Sequence, residues 1–130
     1  MKPSTSTKYA ILAVGYVVQH QDEGLIVSQV ISREYNIPLE YLLKIMQQLV
    51  KANILRSKRG PRGGFSLARP LNKITMLEII EAVEGPVDTS LGLEQLVGRN
   101  KFCAKATKEY DRIIAQAKGG FKKVKMSGLV

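Results

Sequence analysis

Tyr9, Leu12, Ala13, Tyr16 and Val17 recur every three or four positions, the period of a helix buried along one side. Ser6 or Thr7 can cap this helix, which is expected to run to about His20, where the polar stretch QHQDEG closes it. Ser28 then reads as the cap of a short helix carrying Val30, Ile31 and Tyr35, with Asn36 in the left-handed position that ends it. Pro38 suits the first turn of the next helix, where its missing amide is no loss. From Pro38 to Ala52, Leu42, Ile45, Met46 and Leu49 share one face, opposite Glu40, Lys44, Gln47 and Lys51, with Tyr41 and Leu43 on the flanks.

A strand is expected at Ile54–Lys58 and another at Phe65–Leu67, joined by the loop RGPRGG at 59–64. Thr75 and Glu78 form a capping box opening a further helix, with Leu77, Ile80 and Val83 inward and Gly85-Pro86 stopping it. Residues 87–101 have weak periodicity and read as a loop with room for one helical turn. Helical spacing returns from about Phe102 to Lys118 through Cys103, Ala106, Tyr110, Ile113, Ile114 and Ala117, and Gly119-Gly120 is expected to end or fray it.

One hundred and thirty residues make one domain's worth of chain, and 45% hydrophobic with 24% charged residues excludes a disordered class. The longest apolar run, Tyr9 to Val18, is about half of the ~20 residues a membrane span needs, so no membrane partner is expected. The polar start MKPSTSTKYA lacks the apolar stretch of a signal peptide, and Cys103, the single cysteine, cannot form an internal disulfide. Both fit a cytoplasmic protein. The net charge of +9 points to a polyanionic partner, and from Tyr41 to Leu77 eight Lys and Arg stand with no acidic residue.

Three helices followed by a hairpin describe a mainly α fold with a small β-hairpin wing: a winged helix-turn-helix. The Pro38–Ala52 helix then enters the major groove of double-stranded DNA, with Pro38, Glu40, Tyr41, Leu43, Lys44 and Gln47 at base edges. Glu40 would accept from a cytosine amino group. Leu43 would touch a thymine methyl, or else lie half-buried against a neighbouring element. Arg59 and Arg62 at the wing tip suit a narrow minor groove, while Lys8, Ser28, Arg56, Ser57 and Lys58 are assigned to the wing and phosphate contacts.

The run from Tyr41 through Leu67, with the wing signature Ser57 to Leu67 and Phe65 where a Tyr is usual, resembles the Rrf-type regulators, the family of the IscR, NsrR and CymR repressors. Lys8-Tyr9-Ala10 and Ile74-Thr75 fit the same pattern. The resemblance implies a transcriptional repressor that binds a near-palindromic operator as a homodimer. Its C-terminal dimerisation helix would be the 102–118 segment, placing recognition helices roughly 34 Å apart. The division expected is a DNA-binding domain over 1–86, an effector or sensor loop over 87–101, and a dimerisation helix with tail over 102–130.

Many relatives hold an iron–sulfur cluster on three cysteines six positions apart. Counting back from Cys103 reaches Val97 and Leu91, which donate nothing, so no metal and no cofactor is expected. Cys103 is then a redox sensor or a small buried residue of the dimer helix, the buried reading being favoured. The operator should differ from those of relatives with Ser-Tyr-Leu-Glu-Gln, because here the chain reads Glu40-Tyr41-Leu42-Leu43-Lys44. One His, one Cys and no phosphate-binding glycine loop leave no catalytic constellation, so an enzyme is not expected. The competing reading is a protein-interaction module on a winged-helix platform. The effector is not legible.

Overall fold

The computed structural model describes residues 2–87 and 90–130. Along them run α1 (Thr5–Gln19), α2 (Ser28–Tyr35), α3 (Leu39–Lys51), β1 (Leu55–Lys58), β2 (Gly64–Leu67), α4 (Met76–Glu84), α5 (Leu93–Val97) and α6 (Lys101–Lys123). None of the described helices is long and apolar enough to cross a membrane.

The cap of α1 lies earlier than expected. Ser4, not Ser6 or Thr7, accepts the Thr7 amide at 3.1 Å. Thr7 is buried instead, and its hydroxyl donates to the Glu84 carboxylate at 2.7 Å, which ties the start of α1 to the end of α4. Ser28 is the first residue of α2 and not its cap, a position held by the extended Val27. Asn36 adopts the left-handed conformation expected of it. Pro38 is extended and precedes α3, so the helix opens at Leu39.

The inward face of α3 is the one the spacing predicts: Leu42, Ile45, Met46 and Leu49 are at most 1% exposed. They belong to one core with Ala13, Val14 and Val17 of α1 and Ile79 of α4. Burying each such side chain contributes roughly 1.5–3 kcal/mol, so rotating α3 out of this seat is costly. On α4 Leu77 is buried as expected, together with Ile79. Ile80 and Val83, expected inside, are only half-buried; Val83 packs against the core, and Ile80 borders a cleft of about 530 Å3 lined also by Ile11, Met76, Ile114 and Phe121.

The wing is an antiparallel pair with Leu55 opposite Leu67, Arg56 opposite Ser66, Ser57 opposite Phe65 and Lys58 opposite Gly64. A third segment joins it: Ile26 and Phe65 exchange backbone hydrogen bonds of 2.9 and 2.7 Å, fastening the wing to the chain before α2. Arg69, just beyond β2, is not a free surface charge. Its guanidinium donates to the Asn53 carbonyl after α3 and to the Lys73 carbonyl, both at 2.9 Å, and pairs with Glu78 at 2.6 Å. Glu78 also completes the capping box with Thr75, each accepting the other's amide at 3.2 Å.

The helix expected to stop at Gly119-Gly120 continues to Lys123. Tertiary anchoring outweighs the glycines, which cost about 1 kcal/mol each in a helix interior. Beyond α6 the chain returns to the winged domain: the Met76 amide donates to Val124 at 2.8 Å, the Met126 amide to Ile74 at 2.9 Å, and Met126 is buried. Within the 87–101 segment the expected helical turn is α5, bounded by Gly92 and Gly98 at positive φ. Positions 88 and 89 of that segment lie outside the described residues.

Burial alone would raise the Glu78 carboxyl, but the Arg69 and Thr75 hydrogen bonds outweigh it and hold the group below the usual 4.5. The native state therefore binds this proton less readily than the unfolded chain. The stabilisation is complete above the usual value and is lost as pH falls through it and below. Urea unfolding of Thr75→Ala should show a loss of about 1 kcal/mol at neutral pH. The Glu78→Gln chain should lose less stability on acidification than the parent, and an identical acid limb would show that the pair contributes nothing.

Candidate nucleic-acid interface

Because α3 buries its apolar stripe, the opposite side faces outward. Pro38, Glu40, Tyr41, Lys44 and Gln47 line one open groove along it, joined by Ser6, Gln48 and Lys51. Leu43 stays outside this set and is half-buried. Tyr41 is engaged within the fold: its hydroxyl lies 2.7 Å from Ser6 Oγ, and its ring stands edge-on to Tyr9 with centroids 5.3 Å apart. Tyr41 thus braces α3 against α1 and sets how far the helix projects.

Arg56, Ser57, Lys58, Arg59 and Arg62 are all exposed on the wing, and Lys8 is exposed on α1. Ser28 does not join them. It is buried, with its hydroxyl 3.5 Å from Gln29 Oε1. The wing tip is closed by a Gly63 amide bond to the Gly60 carbonyl at 2.9 Å, with Gly60 at φ 108°. A side chain at Gly63 would overlap the Lys58 carbonyl oxygen, and one at Gly64 would lie 2.8 Å from the Ile26 carbonyl oxygen. These glycines let Arg59 and Arg62 flank a tip thin enough to approach a duplex closely.

The arrangement is a polar, two-lysine helix face beside an arginine-tipped hairpin, the chemistry of base-edge and phosphate contact. Sequence reading missed Ser6 and Gln48, and placed Lys51 on the outer face without counting it among the contacts. Gln48 and Lys51 follow from helical spacing, whereas the Ser6–Tyr41 contact spans 35 positions and has no local signal.

The model of the Rrf2 family, described as iron-dependent transcriptional regulators, matches residues 3–130. The IscR regulator of Cereibacter sphaeroides is 38% identical over 90 residues, covering 68% of this chain and 58% of that protein. An HTH-type transcriptional regulator of Aquifex aeolicus is 40% identical over 78 residues, covering 60% of this chain and 54% of its own. The chain spans little more than half the length of the curated relatives it matches. Among solved structures, CymR, the global cysteine regulator of B. subtilis, superposes with a TM-score of 0.82 at 22% identity, covering 99% of this chain and 95% of that one. T. potens IscR gives 0.74, also at 22% identity, covering 99% and 85%.

Cys103, half-buried in the first turn of α6, is the sole thiol, and its amide is capped by Asn100 Oδ1 at 3.1 Å. Val97 and Leu91 are exposed aliphatics. No three His, Cys, Asp or Glu side chains among the described residues converge as metal ligands.

Gly63→Ala should force the wing tip open, because its Cβ would overlap the Lys58 carbonyl oxygen, at a cost of about 1–3 kcal/mol. Thermal unfolding should register a lower midpoint, while Gly15→Ala, at an α1 position with nothing within 4 Å, serves as the permissive control. A Gly63→Ala protein as stable as its parent would contradict the close packing of the tip.

Proposed function

This chain belongs to the Rrf2 family of transcriptional regulators, and we propose that it is a sequence-specific DNA-binding repressor acting as a homodimer on a near-palindromic operator. The observation that carries this reading is a polar groove along α3 in a chain whose adjoining, glycine-tipped wing exposes Arg59 and Arg62. In this assignment Lys44, Gln47 and Glu40 meet base edges, the last accepting from a cytosine amino group. Leu43 offers an apolar edge. Arg59 and Arg62 enter the minor groove, and Arg56, Ser57, Lys58 and Lys8 hold phosphates. Tyr41 acts as a brace, which limits it to orienting the helix.

The dimer reading draws support from the apolar side chains left exposed in the C-terminal region: Leu96 at 79% on α5, and Phe102 at 78% and Ile113 at 50% on one side of α6. A second copy covering them would remove a patch that a lone soluble chain seldom leaves open. The working division is then a DNA-binding unit over 1–86, a sensor segment over 87–101 and a dimer helix with tail from 102 on, in a cytoplasmic regulator. The signal is read without an iron–sulfur cluster, because one thiolate per chain falls short of the four ligands a cluster usually takes.

Selection of bound duplexes from a random pool should return a two-fold symmetric site occupied by two chains. Arg59→Ala should weaken binding to that site by about 1–3 kcal/mol in fluorescence anisotropy. An unpatterned pool, or an unchanged affinity, would sink the wing assignment. Protein purified without oxygen should be colourless and hold iron far below one atom per chain. A brown, iron-loaded preparation would overturn the cluster-free reading.

A further inference from the structure

The winged domain does not hold most of this protein's net charge. Residues 99–125 carry nine Lys and Arg against Glu109 and Asp111, so seven of the nine net positive charges lie in and around α6. Lys101, Lys105, Lys108 and Arg112 recur at intervals of four, three and four. At about 100° per residue this puts all four within an arc of about 60° on the helix surface. All four are exposed. Arg112 leans on Glu109 at 2.9 Å, and the three lysines make no ion pair with any described residue.

The helix has three distinct sides. Ile114 packs on the body of the protein, Phe102 and Ile113 form an exposed apolar flank, and the cationic row lies away from both. Covering the apolar flank with a second copy would therefore leave the row open to solvent. A row of lysines without an aromatic anchor is poorly suited to a protein interface, where lysine is depleted and Trp, Tyr and Arg dominate. It is well suited to phosphates, which lysine binds as a point charge without regard to sequence.

We propose that the Lys101–Lys105–Lys108–Arg112 face of α6 is a second nucleic-acid contact, holding a further segment of duplex DNA without sequence preference. The contact is separate from the winged domain and does not rest on it, so the two can fail independently. A protein with both would link two stretches of duplex.

The test uses the full chain and a fluorescent duplex of arbitrary sequence, titrated at several salt concentrations. A Lys101→Gln, Lys105→Gln, Lys108→Gln variant removes charge but keeps good helix formers. It should lower the slope of log affinity against log salt by about three and weaken binding by about tenfold or more. The matching lysine-to-arginine variant should restore both, separating charge from folding. Duplex fixed on beads should capture a second labelled duplex through the parent protein, but not through the glutamine variant. An Arg59→Ala, Arg62→Ala variant should retain the part of the salt slope that the glutamine variant loses. If that wing variant loses all binding, or if slope and capture are unchanged by the glutamines, the proposal is overturned. Preferential binding of labelled polyglutamate at equal salt would also overturn it, assigning the face to an acidic protein.

Discussion

The seating of α3 decides what the rest of the molecule can do. Four side chains almost wholly removed from water fix the rotation of that helix about its axis, and so choose which residues face out. A turn of one residue, about 100°, would bury Lys44 or Gln47 and expose a leucine. The polar groove is thus the complement of a packing problem. Tyr41 refines it, since its bond to Ser6 and edge contact with Tyr9 also set the helix's tilt against α1.

A second constraint works through Arg69. One guanidinium reaches the turn after α3, the chain before α4 and the carboxylate that caps α4. The end of α3, the base of the wing and the fourth helix therefore share a fixing point. In the sequence Arg69 looks like one more member of an acid-poor basic stretch; in the fold its charge is spent internally, and the outward field of that stretch is correspondingly weaker. Glu78, the partner that neutralises it, comes from beyond the stretch.

How much was legible follows the range of the interactions. The α3 stripe, the Asn36 turn, the Thr75–Glu78 box and the glycine-rich hairpin are local patterns, and each stands where its spacing puts it. The misplacements share a cause in contacts between distant positions. Thr7 gives up capping because Glu84 lies within reach of its hydroxyl, Ser28 turns inward on α2, and α6 runs through two glycines because residues 74–76 hold its far end. The pairing of Ile26 with Phe65 carries no sequence signature, although it is what keeps the wing from swinging. In the candidate site, helix periodicity found most of the groove and long-range contact supplied the remainder.

The tail beyond α6 has a mechanical consequence. The helix is a rod of about 34 Å, seated on the body at Ile114 and pinned at its far end by two backbone bonds and the Met126 plug. Its first turns, with Phe102 and Cys103, have little of the body beneath them. Such a rod is a cantilever. A load on its first turns is carried to the pinned end, where the Met76 and Met126 amide bonds join it to the chain leading into α4.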